Sequence, residues 1–189
     1  MTSLHLPDQL ANWKAAGETY LYRGHSIFYH TEGRGEVLVC IHGFPTASWD
    51  GHAVWPRLVE KFRVVAVDMI GVGLSDKPLN YSYSLFDQAN LHEGLLAFLG
   101  EQTVHLLAHD YGDTVVQELL ARHLAGTSRL NVRSVCLLNG GLFPEAIHPH
   151  PIQKLLLNPL LGPMVGRLLS ERRFQKSFSS VFGPDMQPT

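Results

Sequence analysis

The chain has 189 residues, with 15 basic and 17 acidic side chains, for a formal charge of −2. At roughly 150 residues per domain this allows one domain, or one with an insertion. Charged residues make up 17% and apolar residues 45%, a balance that can bury a core and excludes intrinsic disorder. A near-neutral chain without a basic arm also argues against a nucleic-acid partner.

The first residues, MTSLHLPDQLANW, lack a basic stretch followed by an apolar one, so no signal peptide is read and a cytoplasmic protein is expected. Glu18–Arg23 and Ser26–Glu32 read as two strands around a turn at Gly24-His25. Glu36–Ile41 is a short continuous apolar run, as in a strand covered on both faces. A helical pattern follows over Val54–Lys61, then a second buried-strand run at Val64–Val67. Ser84–Leu99 places Leu85, Phe86, Ala89, Leu95, Leu96 and Leu99 at amphipathic-helix spacing. The strand Thr103–Ala108, the helix Asp113–Leu124 and the strand Val132–Leu138 come next. A hairpin followed by this alternation predicts an α/β fold, a mostly parallel sheet with helices on both faces.

From Pro144 onward the pattern changes. Seven prolines (144, 149, 151, 159, 163, 184 and 188) interrupt the segment, and no buried-strand run recurs. Residues 1–143 are therefore expected to form the core and 144–189 a set of short, broken helices. The apolar stretch Ile152–Leu169 contains Lys154, Pro159, Pro163 and Arg167, which makes it a poor membrane span. With only two basic residues it is also a weak membrane-surface segment, so a membrane partner is not expected. Cys40 and Cys136 each sit in an apolar run and read as packing thiols without a disulfide.

Chemistry in such a sheet gathers at the carboxyl ends of the strands. Three loops lie there: His42-Gly43-Phe44-Pro45, Asp68 to Ser75, and Ala108-His109-Asp110-Tyr111-Gly112. The third has the small-x-nucleophile-x-small form of a strand-to-helix elbow, with Asp110 in the middle and Ala108 and Gly112 flanking it. The blander role for Asp110 is a helix N-cap. Gly71-Val72-Gly73 reads as a tight turn, because Asp76 replaces the third glycine of a dinucleotide fingerprint; no cofactor is expected. Asp68 reads as an orienting residue near the sheet edge. His148-Pro149-His150 lacks an accompanying acid or cysteine cluster, so no metal is expected. By strand alternation His109 should point away from Asp110 and pack. Trp13, Trp49 and Trp55 are expected in the core or at its rim.

Together, HGFPT at 42–46, GLSDKP at 73–78, HDYGD at 109–113, VQELL at 116–120 and the NGG and FPE segments between 139 and 145 resemble the α/β-hydrolase superfamily. The likeness is to its epoxide hydrolase and haloalkane dehalogenase branch, and within that to the mesoderm-specific transcript family. The resemblance covers about residues 18–183. It implies an epoxide hydrolase-like enzyme in which Asp110 attacks an electrophilic carbon of a small, apolar substrate and forms a covalent ester. The backbone N–H groups of Phe44 and Tyr111 would form the oxyanion hole, with His42, Gly43, Pro45 and Gly112 as supporting residues. It also implies that 144–189 begins a helical lid, and that the triad acid and histidine come after that lid. The place after the sixth strand, where some dehalogenases carry their acid, is Asn139. Tyr111 stands where dehalogenases typically carry tryptophan. Asp113, where glycine is common, puts a second carboxyl near Asp110, which should raise a carboxyl pKa. The competing expectation is a catalytically incomplete fragment or pseudo-hydrolase, cut off inside its lid and lacking a base.

Overall fold

A computed structural model describes residues 8–141, and the expected lid segment 144–189 lies outside them. The described part contains helices α1 (Asp8–Ala16), α2 (Trp55–Val59), α3 (Leu85–Phe98) and α4 (Tyr111–Leu124). Six strands form one sheet: β1 (Glu18–Tyr22), β2 (His25–Glu32), β3 (Val37–Ile41), β4 (Arg63–Val67), β5 (Thr103–His109) and β6 (Asn131–Leu138). Their spatial order is β1-β2-β4-β3-β5-β6. The β1–β2 and β2–β4 pairs are antiparallel, whereas β3 pairs parallel with both β4 and β5, and β5 parallel with β6. The mostly parallel α/β sheet expected from the sequence is the one observed. The hairpin turn falls one residue earlier than expected, at Arg23-Gly24, where both residues have positive φ.

Period-two alternation sorts the strand side chains onto two faces. Val37, Val39, Ile41, Val65, Val67, Val104, Leu106 and Ala108 join Leu91, Leu95 and Leu96 of α3 and Val115, Val116 and Leu119 of α4 in the larger core. Phe28, Val64 and Ala66 face the other way, against Trp13 of α1 and Trp55 of α2. Trp13 packs edge-on to Trp55, Trp49 and His30, with ring centroids 4.3–5.6 Å apart. All three tryptophans thus lie in or beside the core, as expected.

Ser84 caps α3, its side chain accepting from the Asp87 N–H at 3.2 Å. Asp87 itself accepts from Tyr22 at 2.9 Å, from Arg23 at 2.8 Å and from Tyr81, which ties the β1–β2 hairpin to α3. Arg122 does the same between α4 and α3, donating to Glu118, Glu93 and Asn90. The expectation for the cysteines needs correcting in one respect. Cys40 is half-buried, but Cys136 is exposed, because the β6 face that carries it has little packed across it among the described residues. Cys40 and Cys136 both align with Leu107, one strand to either side.

Candidate active site

The strand order places the site. After β3 the chain turns outward to β4 on one side, and it later returns to β5 on the other. The loops leaving β3 and β5 therefore diverge above adjacent strands, the switch point where open α/β sheets hold their ligands. Those two loops are 42–45 and the elbow around Asp110.

Asp110 joins β5 to α4 with φ 53° and ψ −122°, a conformation that L-residues rarely adopt. Its N–H donates to the Leu138 carbonyl at 3.1 Å, and its own carbonyl accepts from the Asp113 N–H at 3.1 Å. The bend needs glycine at 112. A Cβ there would lie 2.5 Å from the Ile41 carbonyl oxygen and 2.7 Å from that of His42, so α4 starts hard against the end of β3. A side chain at Gly43 would likewise meet the Asp110 Cβ at 2.7 Å. No cap hydrogen bond is made by the Asp110 side chain, so the N-cap reading fails at the side-chain level. The carboxylate is exposed, and its Oδ1 instead accepts from the Phe44 N–H at 2.9 Å.

The supporting residues explain how Phe44 is held. His42 is buried; its Nδ1–H donates to the Gly43 carbonyl at 2.6 Å and its Nε2 accepts from the Met69 N–H at 3.0 Å. Those partners fix the tautomer, and burial pushes the imidazole pKa down, so the ring is a neutral brace between the β3 and β4 loops. The Phe44–Pro45 peptide is cis and the Phe44 ring is exposed. Tyr111 is the first residue of α4, where N–H groups have no partner within the helix.

Three expectations change. Asp68 does orient, accepting from the Ser48 N–H at 2.7 Å and the Leu74 N–H at 2.6 Å, but it lies at the end of an interior strand and not near the sheet edge. His109 points to the face away from α4, yet it is no packing residue. It is half-exposed and its Nε2 stands 3.0 Å from Asp50, whose carboxylate raises the imidazole pKa. Nothing in the sequence pattern marked Asp50, which lies in a 3-10 turn, Ser48–Gly51. Asp113 is fully buried, and its pKa is indeed raised, with burial as the first cause and Asp110 a minor one.

Beside the elbow, Asp50, His109, Val54, Leu107 and Leu138 line a cavity of about 150 Å³. A larger one, about 380 Å³, lies at the opposite end of the sheet around Glu93, Gln102 and Arg129, away from this chemistry. Among the described residues no three metal-ligating side chains cluster, and no helix is long and apolar enough to cross a membrane. His148 and His150 lie outside the described residues.

Comparison with known proteins agrees with this geometry. Residues 36–161 match the family described as alpha/beta hydrolase fold. The chain is 44% identical over 200 residues to the mesoderm-specific transcript protein of Mus musculus, covering 98% of this chain and 60% of that one. It is 41% identical over 152 residues to the putative hydrolase LipZ of Mycobacterium tuberculosis, 80% of this chain and 52% of LipZ. The haloalkane dehalogenase DatA of Agrobacterium tumefaciens superposes with a TM-score of 0.71 at 26% identity, over 86% of this chain and 55% of DatA. The chain thus spans about half to three-fifths of the length of these proteins. The elbow, its glycines and this likeness lead to one assignment: the chain belongs to the α/β-hydrolase fold family.

Proposed function

We propose that the chain carries the nucleophile and oxyanion hole of an epoxide hydrolase-like hydrolase that works through a covalent alkyl-enzyme ester on Asp110. One observation carries this reading: an exposed aspartate, in a backbone conformation rare for L-residues, has one carboxylate oxygen held by the Phe44 N–H at 2.9 Å and the other without a partner among the described residues. The bond to Oδ1 divides the labour between the two oxygens. Oδ2 attacks an epoxide carbon, the C–O bond of the ring breaks, and the ring oxygen leaves as an alkoxide that takes up a proton. Oδ1 becomes the ester carbonyl oxygen, already bonded to Phe44. Water gives up one proton as it adds to that carbonyl, which puts the negative charge on Oδ1, where the N–H groups of Phe44 and Tyr111 offset it. Collapse breaks the ester bond to the alkyl oxygen, that oxygen takes up the proton, and a diol leaves the regenerated carboxylate. The substrate is small and apolar, and the protein works in the cytoplasm as a soluble catalyst without a nucleic-acid or membrane partner.

The test is covalent capture. An aryl epoxide and a primary haloalkane are each incubated with the full chain and followed by intact-mass spectrometry and peptide mapping. One adduct per chain at Asp110, lost in Asp110→Asn, is expected. Failure of both electrophiles to modify Asp110 would falsify the nucleophile assignment.

A second reading, capture without turnover, has its own observation. Among the described residues two histidines lie near the site: His42 is engaged through both ring nitrogens, and His109 is turned toward Asp50 with no hydrogen bond to Asp110, so neither is seen poised over the carboxylate to activate water. An adduct that persists for hours would favour this reading; multiple turnover would exclude it.

A further inference from the structure

Asp113 is the third residue of α4, and a carboxylate at that place normally reaches back to the N–H of the capping residue. Here that N–H, of Asp110, is given to the Leu138 carbonyl instead. The Asp113 side chain turns inward and is 0% exposed, and neither of its oxygens has a hydrogen-bond partner of normal geometry among the described residues. An unpaired buried carboxyl is expensive, so its retention asks for a reason. The place it occupies supplies one. It abuts the loop that leaves β6: a Cβ on Gly140 would lie only 2.0 Å from Asp113 Oδ2. Asn139, just before that glycine, holds a left-handed φ of 55°.

We propose that Asp113 is a positioning residue, a pH-sensitive latch that clamps the loop after β6 to the nucleophile elbow. The latch has two ends: Asp113 N–H to the Asp110 carbonyl on one side, Asp113 Oδ2 against Gly140 on the other. Groups facing the carboxyl from each packed element are few. The elbow offers Asp110 and β5 offers His109; from β6 and its loop come only the backbone amides of Leu138 and Gly140. Burial and then Asp110 raise the carboxyl pKa, against the amides and His109, which lower it. Asp113 therefore keeps its proton above the ordinary aspartate value of 3.8 and seats against the loop uncharged. Once ionised, it would be a buried charge next to a second carboxylate, and the clamp loosens. The bearing on catalysis rests on Asp110 being the nucleophile; the latch itself does not.

The experiment compares the full wild-type chain with Asp113→Asn and Asp113→Ala. Amide exchange at Asp110, whose N–H is bonded to Leu138, is read by NMR as a protection factor, and Tm is followed beside it, from the ordinary aspartate value of 3.8 upward across the pH range in which the chain stays folded. In the wild type, protection should fall several-fold as pH rises, while Asp113→Asn, an uncharged isostere, stays flat at the low-pH wild-type level. Asp113→Ala should lose at least tenfold throughout. The sign for Tm follows from linkage: the folded state binds the extra proton, so the wild type gains on Asp113→Asn as pH falls through the raised Asp113 pKa toward the ordinary aspartate value. Tm curves that run parallel across that range, or alanine protected like wild type, overturn the latch. If Asp113→Ala does not fold, the pH-flat Asp113→Asn against a sloping wild type still decides. Exchange is independent of Asp110 chemistry, so an absent epoxide adduct with the expected exchange pattern would sink the nucleophile reading alone.

Discussion

Two aspartates end neighbouring stretches of this sheet in the same way and meet opposite fates. Asp68 follows β4 and Asp110 follows β5, each at a carboxyl end and each crowded by a glycine that could not be anything larger. Asp68 is 1% exposed, and two backbone N–H groups take up its two oxygens. A Cβ on Gly73 would sit 2.1 Å from it, so the loop wraps the carboxylate completely. Asp110 is exposed, has one bonded oxygen and sits on unfavourable backbone. A fully satisfied carboxylate is a fastener, whereas a half-satisfied, strained one is available for chemistry. Residue type and strand-end position are shared; the number of amides aimed at the side chain makes the difference.

That contrast can be broken most sharply at Asp68. Asp68→Ala strands the buried Ser48 N–H and frees the part-buried Leu74 N–H, so a loss of about 3 kcal/mol or somewhat more is expected in urea denaturation, most of it from Ser48. A loss below about 1 kcal/mol would show that the loop after β4 holds itself without the carboxylate.

The next largest effect comes from the histidine beside the His42 brace, His92, and it depends on pH. His92 of α3 lies behind His42; burial first, then the His42 neighbour, push its pKa down to about 4, while its bond to the Gln88 carbonyl works the other way. Above about pH 6.5 both folded and unfolded forms are neutral. As pH falls from there toward 4, the unfolded state takes the proton first and stability drops, by about 3 kcal/mol at roughly 1.4 kcal/mol per unit. His92→Asn should flatten that part of the stability curve. An unchanged slope would assign the acid sensitivity to other groups.

The close approach that makes the elbow is tested at Gly112. The methyl of Gly112→Ala would run into two backbone carbonyls, which cannot move as a side-chain tip can, and about 2 kcal/mol of destabilisation is expected. Wild-type thermal stability in that variant would mean that α4 and β3 are less tightly apposed. The smallest effect has the opposite sign. Asp110→Gly removes a positive-φ side chain and should stabilise the fold by about 1 kcal/mol while ending covalent capture. A destabilised glycine variant would show that Phe44–Asp110 pairing, rather than strain, dominates at the elbow.

Much of this arrangement was legible in the sequence because it rests on local signals. β3 and β4 announce themselves as unbroken apolar runs, and the elbow as small residues spaced around Asp110. Ser84 followed by Asp87 marks the start of α3. What stayed hidden depends on contacts between distant segments. Helix α1 was not visible: DQLANWKAA has no apolar stripe, and Trp13 is its one buried side chain. The pairing of Asp50 with His109 joins a four-residue turn to a strand end 59 positions later, and no spacing rule connects them. The place of Asp68 went wrong for the same reason, since it is the antiparallel pairing of β2, from the N-terminal hairpin, onto β4 that makes β4 an interior strand.

The alignment of Cys40 and Cys136 on either side of Leu107 has a practical side. Two strand spacings separate them, about 9–10 Å, which is beyond the reach of a disulfide. Cys40 is half-buried and its thiol is pushed up to about 12 by burial, so it forms thiolate sparingly; Cys136 is open to solvent. Toward a maleimide or a spin label the chain therefore behaves as if it had a single cysteine. The label lands on β6, two residues before Leu138, whose carbonyl receives the Asp110 N–H. A reporter can thus be fixed to the strand that anchors the elbow without an engineered mutation and without touching a residue of the site.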